Sequence, residues 1–202
     1  MILPGFRRRS QAHIIAALYG AVVAQARSAT FYTDYGVPDT VEGRFDLIVL
    51  HLVLLLRRLG QETGEETGQE TGQETRRQTG QGTDLRRSLG QDLFDEFCRD
   101  MDANLREMGV GDLAVPKRMQ RFAEAFYGRQ SAYGEALSGA DRRDFEKALA
   151  RNIYQGREGD DAARLAQYAR AVMDDLDAQL DDALNRGVVG FLKPEAFVRE
   201  KA

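Results

Sequence analysis

The sequence predicts an all-α protein, a single-domain helical bundle of about six helices. Three observations carry that reading. Apolar residues recur at intervals of three and four in one stretch after another. No segment alternates apolar and polar side chains as a half-buried strand would. Glycine, proline and small polar residues stand where those stretches begin and end.

The first helix is expected from about Ser10 to Ala29, with Ser10 as its N-cap. Ile14, Leu18, Ala21 and Val22 make its apolar face. Arginines followed by an apolar stretch superficially resemble an export signal. Here the stretch is alanine-rich, amphipathic and broken by His13 and Gln25, so it reads as the first helix of the bundle. The linker "TFYTDYGVPDT" follows, turned by Gly36 and Pro38. Its Phe31, Tyr32 and Tyr35 are too large for a free loop and are expected to pack on neighbouring helices.

The next stretch, "GRFDLIVLHLVLLLRRL", is apolar from Leu47 to Leu56 apart from His51. A spanning helix needs about 20 apolar residues. This run is shorter and is flanked by Arg44 and Asp46, and by Arg57 and Arg58. A short helix that is hydrophobic all round belongs at the centre of a bundle. Asp39 and Glu42 have the spacing of a capping box, which places the helix over about Asp39 to Leu59.

From Gln61 to Asp84 a four-residue repeat of glycine, glutamine, glutamate and threonine contains no aliphatic or aromatic residue. It cannot offset ordering entropy by burial, so residues 61–84 read as a disordered or loosely helical low-complexity insert within the single domain, 1–202. Apolar order resumes near Leu85. Leu89, Leu93, Phe97, Met101, Leu105 and Met108 form a stripe that Phe94 and Cys98 widen, and Gly109 stops the helix. Another helix starts near Val115 with Pro116 in its first turn; Met119, Phe122, Ala123 and Phe126 line one face. Ser138 is expected to cap the following helix, with Asp141 three residues on. A longer helix uses Leu165, Tyr168, Ala169, Val172, Leu176, Leu180 and Leu184. The tail "VVGFLKPEAFVREKA" keeps apolar residues for docking.

Chemistry is sparse. A formal net charge of -4 gives no global electrostatic case for nucleic acid. The single cysteine, Cys98, excludes an internal disulfide and any multi-cysteine metal site, and its place on an apolar stripe reads as an inert thiol. His13 and His51 could in principle be axial ligands, but no haem-attachment motif is present, and His51 reads as a core or interface histidine. Asp174, Asp175, Asp177, Asp181 and Asp182 sit about one turn apart, as magnesium–diphosphate ligands do in all-α isoprenoid enzymes. A facing cluster is missing, so a solvated helix face is the better reading. No phosphate loop, nucleophile elbow or zinc spacing occurs. Catalytic residues, cofactors and metals are therefore all expected to be absent.

Two blocks carry a resemblance. "FYTDYGVPDTVEGRFDLIVLHLVLLLRRL" runs from Phe31 to Leu59, and "LFDEFCRDMDANLREMGVGDLAVPKRMQRFAEAFYGR" from Leu93 to Arg129. With "YGVPDT", "GRFDL", "NLREMGVGDL" and "EAFYGR" in order and spacing, they resemble the ubiquinol–cytochrome c chaperone family, assembly factors of respiratory complex III. The insert is the departure from the family's pattern. The resemblance implies a non-enzymatic protein that binds newly made cytochrome b for haem insertion and assembly. It implies a place in the cytoplasm or peripherally at the inner face of the plasma membrane. In mitochondria such proteins act with a small helical co-chaperone. On this reading the partner surface draws on Tyr32, Tyr35, Asp39 and Arg44 of the first block. From the second come Lys117, Arg118, Tyr127 and Arg129. Each also has a structural use: Asp39 as a cap, Arg44 in an ion pair, the tyrosines as core. Met101, Met108 and Met119 supply adaptable apolar contacts. The alternatives are an isoprenoid diphosphate enzyme using Asp174–Asp182, and a helical interaction module for another membrane subunit.

Overall fold

Among the described residues, helices account for the regular structure. The computed structural model describes the backbone of residues 4–60 and 76–198, and the side chains of 11–60 and 86–198. The elements are α1 (Pro4–Ala26), α2 (Thr30–Thr33), α3 (Val41–Arg58), α4 (Arg76–Glu107), α5 (Val115–Ser138), α6 (Arg142–Ile153), α7 (Asp160–Ala178), α8 (Asp181–Leu184) and a 3-10 turn (Pro194–Phe197). Six of these helices have twelve residues or more, and no strand occurs among the described residues. The all-α bundle is as the sequence predicts.

α3 is the axis of the bundle. Every residue from Asp46 to Leu56 is buried, because α1, α5, α6 and α7 all pack on it. Burial of that many large aliphatic side chains, at roughly 1.5–3 kcal/mol each, makes this helix the main source of apolar stabilisation. Phe31 and Tyr35 are fully buried beside it, as expected of the linker aromatics. α4 lies against α1 and α5. Its stripe is buried from Leu89 to Leu105 and runs out at the exposed Met108. Gly109, at φ +79, closes it: Val110 N–H donates to Leu105 O and Gly109 N–H to Arg106 O, a Schellman stop.

Several boundaries differ from expectation. α1 begins by Pro4, so Ser10 lies inside it rather than capping it; proline is tolerated in a first turn. Within Gln11–Thr33 the mean hydropathy reaches 1.3, long and apolar enough for a membrane span. Leu18 and Val22 of that stretch are nevertheless buried in the bundle. The cap of α3 is Thr40, whose Oγ1 accepts from Gly43 N–H at 3.1 Å. Asp39 instead pairs with Arg44 at 2.7 Å. α4 starts at Arg76, so residues 76–84 of the low-complexity insert are helical, as its disordered or loosely helical reading allows. Adding residues to an existing helix costs far less than nucleating one. The remainder of the insert, 61–75, lies outside the described residues. α5 runs through Ser138, which accepts from Arg57 instead of capping α6. The cap of α6 is Asp141, accepting from Arg143 N–H at 2.8 Å.

The longer helix expected to reach Leu184 breaks after Ala178. No glycine or proline marks the break. Arg58 supplies its cause, donating to Leu176 O and Gln179 O at 2.7 Å each. The Gln179 side chain then ties to Gly190, donating to its carbonyl at 2.7 Å and accepting from its N–H at 3.1 Å. Carbonyls that helix continuation would have satisfied are satisfied by side chains instead.

Candidate functional site

Two places concentrate chemistry: a polar network inside the bundle, and an aromatic strip on the face formed by α3, α4 and α5. In the first, His51 Nδ1–H donates to Leu47 O at 2.7 Å, which fixes the tautomer. Nε2 is then an acceptor, and the Tyr168 hydroxyl donates to it at 2.9 Å. Gln25 donates to the Tyr168 oxygen and to Leu192 O, both at 2.8 Å. Phe31 stands 5.1 Å from the Tyr168 ring and 5.4 Å from His51, with Phe191 at 5.5 Å from His51. Burial pulls the imidazole down to about 4, so it is neutral at physiological pH. Both ring nitrogens are committed within the core, the behaviour of a structural histidine. Tyr168→Phe should cost about 1–3 kcal/mol in urea unfolding, because it leaves buried Nε2 without a donor and Gln25 with one acceptor fewer.

The second place begins at Phe45. This α3 side chain lies 5.1 Å from Phe122 of α5 and 6.1 Å from Phe97 of α4. Phe94 lies 4.7 Å from Phe126 and 5.6 Å from Tyr127. Phe97 and Phe126 are buried, whereas Phe45, Phe94, Cys98, Met119 and Phe122 are half-buried and Tyr127 is 49% exposed. Burial raises the Cys98 thiol above its ordinary value, so it stays protonated and apolar in character. Beneath the strip, Asp46 and Arg129 pair at 2.6 Å, with the guanidinium 5.7 Å from the Phe45 ring. Burial pushes Asp46 up to about 6 against the pull of Arg129, leaving it ionised at neutral pH.

The nominated partner residues fall into distinct settings. Tyr32, Asp39 and Arg44 converge: Arg44 lies 5.6 Å over the Tyr32 ring while paired to Asp39, and the Tyr32 hydroxyl donates to Ala26 O at 2.8 Å. Lys117 and Arg118 are exposed at the start of α5. Tyr127 is on the strip. Two nominations meet structural duties. Tyr35 is fully buried, its hydroxyl donating to Pro194 O at 2.7 Å, so it anchors the C-terminal turn and offers no surface. Arg129 is spent on Asp46. The half-buried phenylalanines lie outside the residues the motifs point to, yet Phe94 and Cys98 widen the α4 stripe, and a stripe too wide for its neighbours leaves apolar surface over.

The aspartates do not gather into a site. The helix break separates Asp174, Asp175 and Asp177 from Asp181 and Asp182. Asp181 pairs with Arg58 at 2.6 Å and Arg86 at 3.3 Å, Asp182 pairs with Arg186, and Asp175 accepts from Gln179 at 2.9 Å. Among the described residues no group of three histidine, cysteine or carboxylate side chains could hold a metal ion.

Comparison with known proteins gives the family. The model of the ubiquinol–cytochrome c chaperone family matches residues 33–191. The crystal structure of the Cbp3 homolog from Brucella abortus is similar at 36% identity and a TM-score of 0.76, covering 96% of this chain and 98% of that one. No curated protein matches the chain. A family match over most of the length, joined to a like fold across nearly all of it, makes this chain a member of the ubiquinol–cytochrome c chaperone family.

Proposed function

We propose that this chaperone of complex III assembly takes newly made cytochrome b as its client, and acts by binding without catalysis. The observation that supports it most is the half-exposed strip of Phe45, Phe94, Met119, Phe122 and Tyr127. Apolar and adaptable, such a surface suits the apolar segments of a membrane subunit awaiting insertion or cofactors. With the strip we group Tyr32 of α2, Asp39 and Arg44 at the start of α3, and Lys117 and Arg118 in the first turn of α5. The work is done in the cytoplasm or peripherally at the inner face of the plasma membrane. A small helical co-chaperone, where one exists, is the second partner.

Tagged protein purified from detergent-solubilised membranes should carry cytochrome b. Tyr127→Asp, at an exposed position that should not disturb folding, should lower the recovered cytochrome b about tenfold, the effect of a central interface residue. Another membrane subunit in place of cytochrome b would assign the chain a different client. Normal cytochrome b and normal quinol oxidation after gene deletion would sink the proposal altogether.

A further inference from the structure

The α4–α5 hairpin runs on past the level of Phe45 at the α3 end. Phe97 and Phe122 meet Phe45 at one level. Beyond that level α4 continues to Glu107, and α5 starts back at Val115, some 10–15 Å at 1.5 Å per residue. Leu105 and Val115 are buried in this extension yet lie outside the main core cluster, so the projecting part has a plug of its own. At its apex Leu113 is 100% exposed and Met108 57%. Neither is a remnant of the strip, which ends lower down.

The flank is basic. Gly111 O accepts from both Ala114 and Val115 N–H, so the backbone is already turning helically before α5 begins. Leu113, Lys117 and Arg121 therefore follow one another at four-residue spacing on one side, with Arg118 adjacent, all exposed. From Met108 to Ala123 the single carboxylate is Asp112, and Arg106 engages it. In a chain of net charge -4, Lys117, Arg118 and Arg121 thus lie together behind the apolar apex, with Glu107 and Glu124 at the borders of the stretch. The complementary surface has negative charge in its outer layer and hydrocarbon just beneath it, in that order of depth.

We infer that the α4–α5 tip docks on an anionic lipid surface: Leu113 and Met108 enter the boundary between headgroups and acyl chains, and Lys117, Arg118 and Arg121 bind the headgroups. This needs no client and stands independently of the cytochrome b proposal. It would set the neighbouring strip close to the membrane plane.

Flotation of the full chain with vesicles tests it. The protein should float with phosphatidylcholine–phosphatidylglycerol vesicles, not with phosphatidylcholine alone, and added salt should release it. Leu113→Asp combined with Met108→Asp should cut binding at least tenfold. So should Lys117→Gln, Arg118→Gln and Arg121→Gln together. Leu180→Asp with Val188→Asp, equally exposed elsewhere, should bind like the unchanged protein. All these positions are exposed, so melting temperatures should agree and a loss of flotation reads as lost contact. Absence of flotation, equal flotation by the tip variants, or equal loss in the control pair would overturn the inference. Tip variants that float normally but fail to recover cytochrome b would make the tip a protein-binding surface instead.

Discussion

Arg129→Met should destabilise the protein by about 3–5 kcal/mol at pH 8, and the loss should shrink as the pH falls toward 5. Asp46 is only 5% exposed, and Arg129 is its ion-pair partner at 2.6 Å. Removing the guanidinium strands a carboxylate among aromatic rings, with Glu42 adding repulsion. Even when paired, Asp46 holds its proton up to about 6, above its ordinary 3.8, because burial outweighs the arginine. The folded state therefore binds more protons than the unfolded state between those values, and stability from this group rises as pH falls through the window. Without Arg129 the folded-state value moves higher still, so protonation relieves the variant earlier and by more. Urea midpoints at pH 8 and pH 5 measure the difference. Asp46→Asn in the Arg129→Met background should recover most of the loss at pH 8. A constant deficit at both values would mean that Arg129 acts by packing on Phe45 and not by charge.

This pair also shows where sequence reasoning reaches its limit. Arg129 looked like a free surface cation because its partner is 83 positions away. His51 looked like a core residue, correctly, but Tyr168 as its hydrogen-bond donor is 117 positions away. What was legible was local. The uninterrupted apolar run of α3 required burial on all sides, the stripe of α4 gave its buried face, and Gly109 and Pro116 marked an end and a beginning through backbone geometry alone. The break after Ala178 was illegible because the residues there favour helix, and the arginine that ends it comes from α3. The candidate surface was half legible for the same reason. Polar and tyrosine residues near the quoted motifs could be nominated, but Tyr35 and Tyr127 look alike in sequence. Only packing makes the first a buried anchor of Pro194 and the second an exposed ring.

Gly43→Ala should cost about 3 kcal/mol or more, although alanine is the better helix former. Gly43 occupies the first turn of α3 with an ordinary helical backbone; its φ is not positive, so conformational freedom is not the reason for glycine. Space is. A Cβ there would lie 2.0 Å from Pro38 O and 3.1 Å from its carbonyl carbon, and both are backbone atoms. Relief requires moving the Pro38 peptide, which breaks the Thr40 N–H bond to Pro38 O at 2.9 Å. It also disturbs the cap from Thr40 Oγ1 and pulls on Val37 and Tyr35, which are buried. The same close approach explains why Thr40 caps the helix and Asp39 does not: the chain is already committed by the Pro38 carbonyl resting on Gly43. Gly20→Ala makes the matched comparison. Gly20 is inside α1 with nothing within 4 Å of its added Cβ, so that change should stabilise by roughly 0.5–1 kcal/mol. For a chain of this size the two substitutions should move the melting temperature in opposite directions, about 6–12 °C down for Gly43→Ala and about 1–4 °C up for Gly20→Ala. A Gly43→Ala protein that melts with or above the unchanged chain would show that the Pro38 turn yields freely, and that this contact does not fix the start of α3.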